Sequence, residues 1–485
     1  MEPPQARIAR PGRSRSTSEG SLDERSQGVR RLDHWVFHQP VKEHPRCIGA
    51  LSLRNLFIDL LIPAALFWGL TSAERSILVL NWIWFQRPYA FSYGFWRHMP
   101  VFRIAVAFMV VSNVTRGTLR FRFPSLLIVY LIFLCWLTLS AFFAWDPPIA
   151  WATYKEFLPS MWVSPVLMYA AINDLVLLKK VMWVAAGSLG LIAVKTGIIL
   201  TAKGGEHLTS QINGFVGDNN VFGLTLCTAF AVLMGLRATL PNGRWPKGIF
   251  WVCIVSLLLC IIYTESRGAM LTMLLIFLAR AMLSKQRFRN TFVLIVLLIG
   301  IFWAVPHRFF HRMSTLEDIH ANASAMGRIQ NWELSWQEVL RYPVFGLGPG
   351  NHIPYALAHR HKVIVRVAHS IYFQVLGEEG FPGLALYLLF CAVSINTLIA
   401  TWRYAIHVAR QYPELDWTRN VASWLTCGYF GFLFGSAFLN VLYIEFPWYL
   451  PFYASMLNIL LRKEVNARAI DSRANEMRSL VDCNV

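Results

Sequence analysis

Apolar and polar stretches alternate along this chain on the scale of a lipid bilayer. Blocks of about 20 apolar residues, long enough to cross ~30 Å of hydrocarbon as a helix, recur from Leu51 to Leu461. Spans are expected near 51–70, 99–115, 124–144, 150–171, 181–201, 219–236, 247–263, 267–283, 290–305, 371–400, 420–440 and 447–461. The pattern predicts an all-α, polytopic membrane protein of about twelve transmembrane helices. Two long polar stretches interrupt the rhythm, 1–46 at the start and 306–368 late in the chain.

Basic residues in the short loops orient the helices. Arg116, Arg120 and Arg122; Lys179 and Lys180; Arg237, Arg244 and Lys247; Lys285, Arg287 and Arg289; and Arg403, Arg410 and Arg419 fall in one alternating set of loops. These loops are expected in the cytoplasm, which places 306–368 outside. A cytoplasmic basic head then allows one crossing before 99–115, namely 51–70. The run Ser76–Phe85 is accordingly expected to be interfacial or re-entrant, with Trp82, Trp84, Tyr89, Tyr93 and Trp96 at headgroup level.

Composition fits this picture. Hydrophobic residues make up 55% and charged residues 15%, against roughly 25% charged in soluble domains. The net charge of +18 sits largely in the short loops, and no nucleic-acid motif accompanies it, so no nucleic-acid partner is expected. The eight cysteines are scattered without a C-x-x-C, which indicates neither a disulfide framework nor a zinc site. Residues 1–46, rich in Arg, Ser, Pro and Glu, cannot bury enough apolar surface to fold alone and are expected to be a disordered cytoplasmic tail. A transmembrane domain, 47–465, and a cytoplasmic C-terminal tail, 466–485, complete the expected organisation.

Candidate chemistry gathers at the outer ends of the spans. Lys195 lies near the outer end of its helix, where it either snorkels or binds an anion. In Gly214-Phe215-Val216-Gly217-Asp218-Asn219-Asn220, Asp218 or Asn219 is placed to cap the next helix. Thr264-Glu265-Ser266-Arg267-Gly268-Ala269 puts Arg267 at the outer surface, against the positive-inside bias, where a guanidinium suits a phosphate. In the large loop Ser324 caps a helix running to about Leu340, with Ile329, Trp332, Leu334, Trp336 and Val339 as a broad apolar side. Such a helix is expected over the membrane mouth of a cavity. Its Arg328 is a further anion candidate, with Glu333 and Glu338 as alternative partners.

After the loop comes His369-Ser370-Ile371-Tyr372-Phe373-Gln374-Val375-Leu376-Gly377-Glu378-Glu379-Gly380-Phe381-Pro382-Gly383, a polar border opening a long apolar run. His369, with an ordinary pKa near 6.5, can take a proton from a hydroxyl; the alternative is a residue that merely starts a helix. Glu378 and Glu379 would lie about 13–15 Å deeper on a regular helix, too far to share that hydroxyl. His207, His352, His359 and His361 read as solvated loop residues. There is no H-E-x-x-H, carboxylate cluster or Walker loop, so neither metal nor nucleotide cofactor is expected. Cations without a metal point to a diphosphate leaving group.

Taken in order, Asp218-Asn219-Asn220, the Thr264–Ala269 turn, Ser324-Ala325-Met326-Gly327-Arg328 with Trp332, Pro343 to Gly350, and Ala368 to Gly380 resemble the O-antigen ligase and polymerase superfamily of bacterial inner membranes. The similarity covers roughly 51–461 and is strongest to the O-glycosylation ligases of the exosortase A system, which Asn81-Trp82-Ile83-Trp84 and Arg87-Pro88 also resemble. The resemblance implies a GT-C-like glycosyltransferase that moves a glycan from undecaprenyl diphosphate to an acceptor hydroxyl at the periplasmic face. The acceptor would be a glycan, lipid or protein, and membrane lipids would surround the enzyme. It implies diphosphate contacts at Lys195, Arg267 and Arg328, catalysis at His369, and further substrate contacts at Asp218, Asn219, Tyr372 and Gln374. Ligases commonly carry Arg where Lys195 stands, so the bidentate fork is lost there. A polymerase of the same superfamily, using a second lipid-linked glycan as acceptor, is an alternative. So is a transporter of anions or lipid-linked glycans, although the paired broken helices of internal repeats are not seen.

Overall fold

The computed structural model describes residues 53–92, 95–202, 218–283, 323–359 and 366–482, with positions 289 and 292 besides. Fifteen α-helices follow one another among the described residues, without a strand. The protein is all-α and polytopic. Among the described residues, five helices are long and apolar enough to cross a bilayer: Ser125–Phe142, Leu175–Leu200, Asn219–Thr239, Arg244–Tyr263 and Ile371–Gln411. Shorter apolar helices cover Asn55–Leu70, Val101–Val114 and Met161–Ala171. Apart from position 292, the expected span 290–305 lies outside the described residues, as do 306–322 and 360–365 of the large loop.

The first helices depart from expectation. α1 (Leu53–Leu70), α2 (Ala73–Gln86) and α3 (Val101–Val114) pack on one another, and α2 also packs on α7 (Leu175–Ala202). At one end of α2, Glu74 pairs with Lys180. Just past its other end, Phe91 lies under Lys195, with Nζ 3.8 Å from the ring centroid. Lys180 and Lys195 are fifteen residues apart on α7, about 22 Å at 1.5 Å per residue. The run Ser76–Phe85 therefore traverses the bundle and does not lie along its surface. Helical neighbours enclose it, so it needs no lipid-facing apolar run. Two of its polar residues are paired within the protein: Asn113 Nδ2 donates to Ser76 Oγ (2.9 Å) and Asn81 Nδ2 to the Ile77 carbonyl (2.9 Å). α1 also packs on the turn Pro88–Phe91, so its start lies at the Lys195 level. α1 and α2 thus run antiparallel to each other within the bundle before α3.

α4 (Ser125–Phe142) leads to the broken pair α5 (Pro147–Leu158) and α6 (Ser164–Ala171), joined by a π-helical segment, Pro159–Val163. The centre is formed by α8 (Asn219–Leu236), flanked by α9 (Arg244–Tyr263), α10 (Arg267–Met282) and α14 (Asp416–Ser436). Small residues permit the close approach. A Cβ on Gly428 would stand 2.7 Å from the Ala231 Cβ, and one on Gly435 would stand 2.3 Å from Thr272 Oγ1. α15 (Glu445–Asp482) closes the bundle and continues through the stretch expected to be a tail.

The large loop contributes α11 (Ala323–Arg341) and α12 (His352–Ala358), and α13 (Ile371–Gln411) follows it. α13 is kinked: Gly380 is non-helical (φ 73°, ψ −175°) and Pro382 offers no N–H. The carbonyls released by the kink find partners elsewhere. Leu347 N donates to Gly377 O (2.9 Å), Gly348 N and Ser140 Oγ to Glu378 O (2.8 and 3.0 Å), and Trp136 Nε1 to Glu379 O (2.9 Å). Phe381 N turns to Pro343 O (3.0 Å). The glycine-rich turn after α11 is thus seated on the kink. Gly346 has φ +65°, and a Cβ there would come within 2.5 Å of the Glu378 backbone. Gly346→Ala should lower the thermal midpoint in detergent, since backbone strain alone costs about 1–3 kcal/mol. An unchanged midpoint would contradict this seating.

Candidate functional site

Two helix starts are pressed together because Gly223 has no side chain. A Cβ there would meet Ala269 Cβ at 2.8 Å and Thr264 Oγ1 at 3.1 Å. α8 therefore packs against the turn that opens α10. At the first start, Asp218 Oδ1 accepts from Asn220 N (2.7 Å) and Val221 N (3.0 Å), the capping role expected for this segment. At the second, Ser266 Oγ accepts from Ala269 N (3.2 Å), and Glu265 takes a left-handed conformation (φ 50°). Arg267 is the first residue of α10 and half-buried. Its Nη1 is shielded from solvent and has no hydrogen-bond partner among the described residues. A shielded, unpaired guanidinium nitrogen at a helix N-terminus is suited to an anion.

Arg328, half-buried on α11, belongs to the same group. Burial pushes its pKa down and the neighbouring Arg267 pushes the same way, while Asp218 opposes them. The expected alternative partners do not hold it. Glu338 bonds instead with His352 Nδ1 (2.8 Å), and Glu333 is exposed. Two guanidiniums close enough to repel, with one carboxylate beside them, leave the group net positive.

His369 is held at this group by α11. Asn331 Oδ1 accepts from Arg366 N (3.1 Å), and Trp332 Nε1 donates to the Ala368 carbonyl (2.7 Å). The Trp332 ring stacks on Phe373, with centroids 5.2 Å apart. On the far side, Ser370 N donates to Asn440 Oδ1 (3.3 Å). His369 itself adopts φ +48°, a left-handed conformation uncommon for residues other than glycine, although Asn, Asp and His take it more often than most. Burial pushes its imidazole below the usual range. Arg328 and Arg366 push in the same direction, and Asp218 partly opposes them. A neutral imidazole beside cations is placed to accept a proton.

Arg267, Arg328, Asp218 and His369 thus come together, with Asn219 next to the cap. The other candidates have different surroundings. Lys195 stands over Phe91 at the end of α7. The Tyr372 hydroxyl donates to the Leu433 carbonyl (3.0 Å). Gln374 is buried, its Nε2 3.4 Å from Glu378 Oε2, which also accepts from the Tyr443 hydroxyl (2.9 Å). His352, expected to be solvated, is buried with Glu338. Burial lowers its pKa, but Glu338 and then Glu378 outweigh this and raise it overall. His359 is exposed and packs on Tyr355, whereas His207 and His361 lie outside the described residues. Sequence reasoning missed Arg366. The argument that singled out Arg267, a cation in an outer loop, applies equally three residues before His369.

Residues 252–388, the segment carrying Arg267, Arg328 and His369, match the family model described as O-antigen ligase. Residues 53–234, which include Lys195 and Asp218, match a model described only as a family of unknown function. No curated protein matches the chain.

Proposed function

We propose that this member of the O-antigen ligase superfamily transfers a glycan from undecaprenyl diphosphate to an acceptor hydroxyl at the periplasmic face of the bacterial inner membrane. The observation that carries the reading is the Arg267–Arg328 pair, with a shielded, unpartnered Nη1, set beside a His369 whose pKa is held down. In the reaction the acceptor oxygen bonds to the anomeric carbon as the bond to the diphosphate oxygen breaks. The hydroxyl proton passes to His369. The lipid diphosphate leaves with its added charge facing the two guanidiniums. Asp218 keeps the cation pair from repelling His369 further out of its titration range and fixes the start of α8.

The reading is tested with purified protein in lipid nanodiscs, supplied with undecaprenyl-diphosphate glycan and candidate acceptors. Release of lipid diphosphate together with a joined product is expected, and EDTA should not reduce it. Donor binding without release for any acceptor would overturn the assignment. Extension of the donor by a second lipid-linked glycan would make the protein a polymerase.

A further inference from the structure

The loop helix α11 carries its side chains in an order opposite to that of a helix on a soluble protein. Asn331, Ser335 and Glu338 are buried, whereas Ile329, Trp336 and Leu340 are 46%, 47% and 60% exposed. At 3.6 residues per turn, Ile329, Trp336 and Leu340 fall on one line along the helix. Glu333, Gln337 and Arg341 fall in the adjoining sector and are also exposed. The third sector, with Leu334, Glu338 and Val339, faces the protein. The broad apolar side expected from the sequence is therefore divided: Leu334 and Val339 turn inward, and Ile329 and Trp336 turn outward.

The outward line is continuous with an exposed apolar surface of a helix long enough to span a bilayer. Trp336 meets the edge of Phe381, with centroids 6.1 Å apart. Phe381 begins an exposed apolar stripe on the spanning helix α13 that continues through Leu388 and Leu389. From these observations we infer that α11 is a membrane-surface helix. Its Ile329–Trp336–Leu340 line is bedded in the leaflet on the His369 side, and its Glu333–Gln337–Arg341 sector lies at the headgroups. The bilayer is then the third wall that holds α11. Because Asn331, on the opposite side of the same helix, and Trp332, beside the outward line, fix the His369 segment, lipid contact supports the geometry of the site. The surface itself stands independently of the proposed transfer reaction.

The test reads position, not turnover. Ile329→Cys, Leu340→Cys and Gln337→Cys variants are labelled with an environment-sensitive fluorophore in vesicles, with identically treated wild type as the background for the native cysteines. Phospholipid brominated high on its acyl chains should remove most of the emission from positions 329 and 340, and aqueous iodide should leave it unchanged. Position 337 should respond to iodide and not to bromolipid. Iodide quenching at 329 and 340 would put the line in water and overturn the inference. Protection of both positions from both quenchers would mean that protein, a second copy or a partner, covers the line, and would overturn it equally. Bromolipid quenching at all three positions would bury the whole outer side and refute the sector arrangement.

Discussion

Arg267→Ala should lower single-turnover release of lipid diphosphate by about 10²–10³-fold, at wild-type protein level, the scale typical of losing one preorganised donor to a developing anion. The effect is expected to be large because Arg267 is already partly desolvated. Its Nη1 has given up water without gaining a protein partner, and Arg328 adds repulsion. The free protein bears that cost, and the departing diphosphate relieves it. Arg267→Lys should recover little, since an ammonium restores the charge but not the planar fork. Wild-type turnover in Arg267→Ala would leave Arg267 as a residue that only opens α10.

His369→Ala should cost about 10²–10⁴-fold in rate while donor binding persists. The pH profile separates a base from a structural residue. His369 acts when neutral, so the rate rises with pH through its pKa. Burial first, then Arg328 and Arg366, depress that pKa, so the rising limb should lie below about 6.5. Arg328→Gln removes a cation that disfavours the imidazolium and should move the limb to higher pH. Asp218→Asn removes an anion that favours it and should move the limb lower. Because position 369 sits at φ +48°, His369→Asn tolerates the backbone best and controls for strain. Normal turnover of His369→Gln with an unaltered profile would dismiss His369 as the base.

The bilayer-scale pattern made the fold class readable, because apolar blocks of spanning length have few other uses. It did not announce how α2 packs, for a physical reason. A helix enclosed by other helices need not be long or uniformly apolar, and the Asn113–Ser76 bond that allows this joins residues 37 positions apart. Arg267 and His369 were legible as polar residues at the borders of apolar runs. The group they form was not. It depends on Gly223 admitting the Thr264–Ala269 turn and on α11 bringing Arg328 across. His352 was misread because Glu338, its partner, lies on another helix with no spacing to announce the pair. Lys195 was singled out by its charge near a helix end and by the family resemblance, and the structure sets it over an aromatic ring.

The kink in α13 also bears on the order in which the protein is made. Inside a bilayer an unpaired carbonyl costs several kcal/mol. Those of Gly377, Glu378 and Glu379 are paired by Trp136, Ser140, Leu347 and Gly348, all of which precede α13 in the chain. As synthesis proceeds from the N-terminus, α4 and the glycine-rich turn are both made before the kink emerges. The acceptors thus meet donors already waiting, and α13 need never stand alone in lipid. A circular permutation that moved α4 behind α13 would keep every contact of the finished protein. It would send the kinked helix into the membrane with three carbonyls exposed, and insertion yield should drop although the mature fold is unchanged.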